Sequence, residues 1–146
     1  MSFSLSDQPA TPEAWIRLAK REIEAAQILA GHKAQAMQAW NHAGFAMECA
    51  VKAKIMAHER LNTWPSRDAR PELYVHDMRA LISLAAIPLD AQSPLAPALH
   101  LALSWNRLQS YNPGRMPRRQ ARQLIDAAVG ANGLVTWIAQ QLQITI

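Results

Sequence analysis

The chain has 146 residues, of which half are apolar and 18% are charged, a balance that excludes a disordered protein and indicates one folded domain. The single cysteine, Cys49, excludes an internal disulfide and a zinc site built from cysteines. Together with an N-terminus that lacks the features of a secretion signal, it predicts a cytoplasmic protein. The apolar runs are too short for a membrane-spanning helix.

The positive charge is concentrated in one segment. The chain has 15 Lys and Arg against 11 Asp and Glu, a net charge of +4. Residues 104–122, with the sequence SWNRLQSYNPGRMPRRQAR, contain five arginines and no acidic residue. Without those five the chain would have 10 basic and 11 acidic residues. We call residues 104–122 the arginine segment and expect it to be a local surface for anions.

The first half of the chain predicts an N-terminal arm and two long helices. Residues 1–10 are polar, and we expect a flexible arm that precedes a single helical domain at residues 11–146. Thr11 is a suitable N-cap, Pro12 suits the first helical position, and Gly31 offers a stop. A second helix is expected from about residue 33 to residue 60. Its apolar residues occupy two sides, which predicts a central, buried helix.

The second half predicts shorter helices separated by prolines. Residues 61–75 are expected to form a loop, and a short helix then begins near His76 and Asp77. Another helix follows, with Ser93 as its cap and Pro94 in its first position. Pro117 is expected to start a last helix that continues to residue 142, bent or closely packed at its two glycines. Ala and Leu dominate the apolar residues, so we expect an all-α, up-and-down bundle of four to five helices.

Two polar pairs lie in otherwise apolar or helix-starting surroundings. Glu48 and Lys52 are four residues apart, in the favourable order for an ion pair on a helix. Their neighbours are nearly all apolar, so the pair is either partly buried or an ordinary surface pair of small energy. His76 and Asp77 open a helix, where Asp77 can cap it and His76 can lie in the loop. We expect structural roles for all four residues.

No sequence pattern indicates a metal or a cofactor. The chain lacks a phosphate-binding loop, a dinucleotide fingerprint and a metalloprotease helix. Its five histidines are scattered and do not pair with a second ligand at helical spacing. We therefore expect neither a metal site nor a bound cofactor.

The arginine segment is the best candidate for a ligand site. Its five arginines are Arg107, Arg115, Arg118, Arg119 and Arg122. Several of them lie at the start of a predicted helix, where like charges oppose the helix dipole and an incoming anion would relieve them. Arginine suits phosphates and base stacking, and Tyr111 and Trp105 offer aromatic faces. The alternative is a set of solvated side chains without a ligand.

The order of these features resembles the HEPN superfamily. AWIRLAKREIEAA resembles its first helix, and HAGFAMECAVKAKI its second, with Glu48 and Lys52 at the characteristic acidic and lysine positions. HDMRAL is similar to the His-Asp-Leu that opens its next helix. WNRLQSYNP, followed by an alanine-rich helix with the late Trp137, resembles the end of that domain.

The resemblance implies a helical bundle that dimerises with the arginine segment near the dimer cleft. Active members are metal-independent ribonucleases that carry an Arg followed, about four to six residues later, by a His. Arg107 stands at the expected place, but no histidine follows it, and Tyr111 is a poor proton shuttle. Arg70 and His76 have the spacing, but in another loop. Arg107, His76 and Tyr111 are therefore weak candidates for catalysis.

Two functions follow, with a third alternative. The first is a non-catalytic dimeric module that binds RNA, a nucleotide or a partner protein, such as a nucleotidyltransferase, through the arginine segment. The second is a degenerate ribonuclease of a toxin–antitoxin or antiviral defence system, in which His76 replaces the missing histidine. The third is a structural subunit whose arginines meet acidic groups of a partner. The apolar central helix and five tryptophans also predict a homodimer.

Overall fold

The computed structural model describes residues 3–146, and all regular structure within them is helical. The α-helices of this part of the chain are α1 (Pro12–Ala30), α2 (Ala36–Glu59), α3 (Met78–Leu84), α4 (Ala96–Ser104), α5 (Arg118–Val129) and α6 (Leu134–Leu142). Short 3₁₀ turns are η1 (Lys33–Gln35), η2 (Pro71–Leu73) and η3 (Arg107–Tyr111). The predicted all-α bundle is confirmed at this level.

The α2 helix is the centre of the bundle. It packs against α1, α3, α5, α6 and η3, and most of its residues from Ala39 to Met56 are buried. Only Asn41, His42, Phe45 and Lys54 in that stretch are partly exposed, which explains why the apolar residues occupy two sides of the helical wheel. The predicted central helix is therefore confirmed.

Local capping fixes the start of α1 and α3. The Thr11 hydroxyl accepts a hydrogen bond from the backbone N–H of Ala14 at 3.1 Å, and Pro12 occupies the first position of α1. The Asp77 carboxylate accepts one from the N–H of Ala80 at 3.2 Å at the start of α3. These side chains satisfy backbone donors that a helix start leaves open. Both predicted starts are correct.

The α4 helix begins later than the sequence predicts. The Ser93 hydroxyl accepts from the N–H of Leu95 at 3.1 Å, and the N–H of Ala96 donates to the Ser93 carbonyl at 3.0 Å. Ser93 and Pro94 therefore belong to a turn. The α4 helix starts at Ala96, and Pro97 is its second residue. The prediction of Ser93 as the helix cap is wrong, because its side chain closes the turn that precedes the helix.

The predicted last helix is two helices. Pro117 is the N-cap of α5 rather than its first residue, and Gly130 ends α5 with an extended backbone at ψ −176°. Gly133 then caps α6. A Cβ atom at Gly133 would lie 2.5 Å from the carbonyl oxygen of Ala128, so the chain turns there in a space that only glycine fits. The expected bend is a complete break.

The loop between α2 and α3 is fastened to the bundle. Trp64 packs edge-on against Trp15 with ring centroids 5.0 Å apart. The backbone N–H of Trp64 donates to the carbonyl of Ala10 at 3.0 Å. Arg70 forms two hydrogen bonds with Glu59, at 2.9 and 3.1 Å. This end of the molecule is therefore closed by aromatic contacts and ion pairs. Of the predicted arm, residues 1 and 2 lie outside the described residues.

The apolar sides of α2 are covered within one chain. Trp15, Trp40 and Trp105 are also buried, so this helix leaves no large apolar surface for a second copy. The homodimer stays a prediction, but the reason drawn from α2 is wrong. No helix within residues 3–146 is long and apolar enough to cross a membrane.

Candidate functional site

The first polar cluster lies in the core. Glu48 and Lys52 are 1% and 7% exposed, and the Lys52 ammonium donates to Glu48 Oε2 at 3.1 Å. The other carboxylate oxygen, Glu48 Oε1, lies 2.9 Å from His76 Nδ1. The His76 ring is half exposed. We call Glu48, Lys52 and His76 the Lys52 cluster. The interpretation of Glu48 and Lys52 as a surface pair is wrong.

Aromatic rings surround the ammonium of this cluster. Lys52 Nζ lies 5.3 Å from the centroid of Trp15 and 5.9 Å from that of Trp64, distances at which a cation is attracted to a ring face. Buried charges are stable only when they are paired and hydrogen-bonded. The Lys52 cluster meets both conditions, which fits the expected structural role of Glu48, Lys52 and His76, while Asp77 caps α3.

The arginines differ from that cluster in having no acidic partner. The ion pairs formed within residues 3–146 include none to Arg107, Arg115, Arg118, Arg119 or Arg122. Arg118 is half buried, and the other four are exposed. Tyr111 is also exposed, so its ring is accessible as predicted.

Trp105 is not the exposed stacking face that the sequence predicts. It is 3% exposed, and a Cβ atom at Gly44 would lie 2.1 Å from its ring. The indole therefore rests directly on the backbone of α2. Trp105 cannot stack on a ligand, and instead it anchors the start of the arginine segment to the central helix.

Gln109 provides the second anchor. Its side-chain oxygen accepts from Trp40 Nε1 at 2.6 Å and from the N–H of Asn106 at 3.1 Å. Its amide nitrogen donates to the Ser104 carbonyl at 2.9 Å. Asn106 caps η3 by accepting from the N–H of Leu108 at 2.7 Å. These bonds fix η3, and with it the backbone of Arg107, against α2.

Arg107 lies at a pocket between α1, α2 and η3. The pocket has a volume of about 290 Å³. Its lining residues are Glu22, Gln38, Asn41, His42, Phe45, Arg107 and Ser110. The α2 residues follow each other at helical spacing, and Arg107 and Ser110 are one 3₁₀ turn apart, so each element presents one face. We call this the Asn41 pocket.

Two interactions shape the wall of this pocket. Glu22 Oε2 is hydrogen-bonded to His42 Nδ1, which holds the imidazole in one orientation. The Arg107 guanidinium carbon lies 4.8 Å from the centroid of Phe45, a distance at which a cation is attracted to an aromatic ring. His76 is not among the residues that line this pocket in the described part of the chain.

Asn41 is the unusual group of the pocket. Its side-chain nitrogen and oxygen are both buried, and neither has a hydrogen-bond partner among residues 3–146. Leaving such a group unpaired costs about 1–3 kcal/mol. The indole N–H groups of Trp15 and Trp105 are also buried without a partner, but neither lines this pocket, whereas Asn41 lies at a wall where a ligand can pair with its amide.

The sequence interpretation missed Glu22, Asn41 and His42. One signal was available, because Gln38, Asn41 and His42 form a polar stripe at three- and four-residue spacing in an otherwise apolar helix. The partner residues on α1 and η3 are far away in sequence, so no local pattern identifies them.

Cys49 is fully buried in the core between these regions. Burial, reinforced by the negative charge of Glu48, raises the pKa of its thiol far above the ordinary value. The thiol is thus a packing group rather than a nucleophile. No group of three or more His, Cys, Asp or Glu side chains suited to a metal occurs within residues 3–146.

Comparison with known proteins adds no relative to this picture. No family model matches the chain, and no curated protein or solved structure is significantly similar to it.

Proposed function

We propose that this chain is a non-catalytic, HEPN-like module that binds RNA through its arginine segment. The observation that carries the proposal is the contrast in charge pairing. Five arginines in one segment have no acidic partner within residues 3–146, whereas the buried Lys52 is paired. Unneutralised arginines beside an exposed tyrosine are the groups that bind phosphates and stack on single-stranded bases.

The start of α5 supports the same ligand. Its N-cap, Pro117, supplies no side-chain acceptor to the first backbone N–H groups. Arg118 and Arg119 extend from this first turn, and Arg119 shares a shallow depression with Arg122. Open N–H groups, the positive end of the helix dipole and guanidinium groups all favour an anion.

The resemblance adds the finer parts of the proposal. It supplies the HEPN-like arrangement of the bundle, the homodimer, a cytoplasmic location and a nucleotidyltransferase-type protein as a second partner. The exposed side chains Leu108 and Tyr111 of η3 are a better candidate for a dimer contact than α2. Acidic groups of a partner protein are the alternative ligand for the arginines.

A metal-independent ribonuclease of a defence system is the second candidate function, and one observation favours it. Arg107 shares its pocket with His42, and Glu22 orients that histidine. A histidine held by a carboxylate beside an arginine can move a proton and stabilise phosphate charge. His42 therefore replaces His76 as the candidate base, because His42 lines the pocket that contains Arg107 and His76 does not.

The test of RNA binding is its dependence on salt. If about three phosphates are neutralised per chain, the logarithm of affinity for single-stranded RNA should fall with the logarithm of salt at a slope of about −2. Changing Arg118 and Arg122 to Gln should flatten this slope while thermal stability stays the same or rises. Lys20→Gln with Lys33→Gln, on α1 and η1, provides the matched control for the loss of two charges.

Three results separate the candidates. Undetectable RNA binding at low salt, unaffected by the arginine changes, contradicts the proposal. RNA cleavage without metal, abolished by His42→Ala, selects the ribonuclease instead. Binding to an acidic protein but not to RNA selects the partner-docking alternative.

A further inference from the structure

The Asn41 pocket has a mixture of groups that phosphate binding does not explain. Glu22 and Arg107 both line the pocket, so a carboxylate and a guanidinium border the same space. A phosphate there would be repelled by the carboxylate of Glu22. The pocket therefore suits an uncharged group that carries both hydrogen-bond donors and acceptors.

The size of the pocket restricts that group further. A volume of about 290 Å³ lies at the lower end of the range for small-molecule sites, roughly 300–1,000 Å³. It accommodates one planar ring system rather than a nucleotide with its sugar and phosphate. The exposed guanidinium of Arg107, with its carbon 4.8 Å from the Phe45 ring centroid, is a group on which a base can stack.

The unpartnered side-chain amide of Asn41 determines which edge of a bound base it would contact. Its oxygen accepts and its nitrogen donates, and both are unused among residues 3–146. A carboxamide of this kind forms a paired donor–acceptor contact with adenine, accepting from the 6-amino group and donating to N7. We propose that the Asn41 pocket receives an adenine base of the bound RNA and that Asn41 is its specificity-determining residue.

This inference rests on the proposed RNA binding and adds a base preference to it. The exposed arginines hold phosphates of any sequence, and the Asn41 pocket selects among the bases that pass over Arg107. Because the amide atoms are closed off from solvent, a base must displace the side chains that cover them. Gln38 and Phe45 flank Asn41 by one helical turn on either side.

The experiment compares Asn41→Leu with the wild-type chain. Leucine has nearly the same shape and removes the unpaired amide, so thermal stability should stay the same or rise. Affinity for oligoadenylate should fall about tenfold or more, to the affinity for oligouridylate, which should not change. Adenosine, which has no phosphate, should bind the wild-type chain and not the variant. Asn62→Leu, on the exposed loop after α2, is the matched control.

A second readout needs no variant and covers the case in which Asn41→Leu does not fold. Titrating adenosine into the ¹⁵N-labelled protein should shift the side-chain amide resonances of Asn41, and those of Asn62 should stay in place. Adenosine that binds without shifting the Asn41 amide overturns the inference, and so does a chain that does not bind adenosine. Oligoadenylate and oligouridylate that bind equally, with an arginine-dependent salt slope, overturn the base preference and leave the RNA-binding proposal intact.

Discussion

The Lys52 cluster and the arginine segment handle charge in opposite ways. In the first, a buried carboxylate meets an ammonium and an imidazole, and two tryptophan rings cover the ammonium. In the second, five arginines form no ion pair with the acidic residues of the described chain, and a nearby amide is left unpaired. Both regions contact the same helix, α2. The buried charges are therefore satisfied internally, and the arginines without an ion pair are the groups that the proposed ligand would meet.

The largest effect is expected from breaking the Lys52 cluster on one side. Lys52→Met keeps most of the packing against Trp15 but leaves Glu48 buried without its ammonium. Removing one partner of a buried pair costs about 3–5 kcal/mol of unfolding free energy. Adding Glu48→Gln should recover part of the loss, because the uncompensated charge disappears. Chemical denaturation of the single and double variants measures both numbers.

The matched control is the more exposed pair between Arg70 and Glu59. Its side chains are 27% and 26% exposed, so Arg70→Met should cost about 1 kcal/mol or less. If Lys52→Met were no more damaging than Arg70→Met, the buried cluster would not hold this part of the fold.

A smaller effect is expected where the arginine segment meets α2. Gly44→Ala would place a methyl group inside the volume of the Trp105 ring. Overpacking of this kind costs about 1–3 kcal/mol, and the ring must move outward. We expect weaker RNA binding in the same variant, since η3 follows Trp105 and carries Arg107.

The control for this change is an alanine at a glycine with more space. At Gly31 the nearest atom to a new Cβ is a backbone oxygen 3.2 Å away. Gly31→Ala should therefore reduce stability less and leave RNA binding unchanged. Equal losses of binding in both variants would show that general destabilisation, rather than the position of η3, is responsible.

The smallest effect concerns Cys49. Its thiol has a raised pKa because it is buried, so the folded chain keeps the proton that the unfolded chain loses as the pH rises through about 8.5. The free energy of unfolding should therefore decrease slightly as the pH rises above about 8.5, and Cys49 should have no effect on it at lower pH. Thiol reagents at neutral pH should modify Cys49 only after denaturant is added, and rapid modification of the folded protein would contradict its placement in the core.

Local chemistry made part of the fold predictable from sequence. Thr11 and Pro12 identified the start of α1, and Asp77 identified the start of α3. Such starts can be read from sequence because a cap needs only its own side chain and the next three residues. The central position of α2 followed from apolar residues on two sides. Ser93 was misinterpreted because the same hydroxyl that caps a helix also closes a turn. The break at Gly130 and Gly133 depends on packing of the backbone, which composition does not reveal.

The candidate site was less predictable than the fold. Its arginines are visible as a run of uncompensated charge, and Arg107 was identified in this way. Glu22 and His42 can be recognised as a hydrogen-bonded pair only once α1 and α2 are known to lie side by side. Asn41 stands out only once its neighbours are known to offer no partner to its side-chain amide. Tertiary contacts between distant segments create these properties, and no spacing within one segment encodes them.

The anchoring of η3 would also set the distance between the two contacts that the proposed RNA makes, at Arg107 and at α5. Trp105 and Gln109, which precede and follow Arg107 in sequence, fasten it to α2, and residues 112–117 lead from η3 to α5. That loop then acts as a spacer between Arg107 and the arginines of α5. Lengthening or shortening it would change how many nucleotides separate the two contacts, while leaving each contact intact. Related chains with the same anchors and a loop of different length would contact the same nucleic acid at two sites separated by a different number of nucleotides.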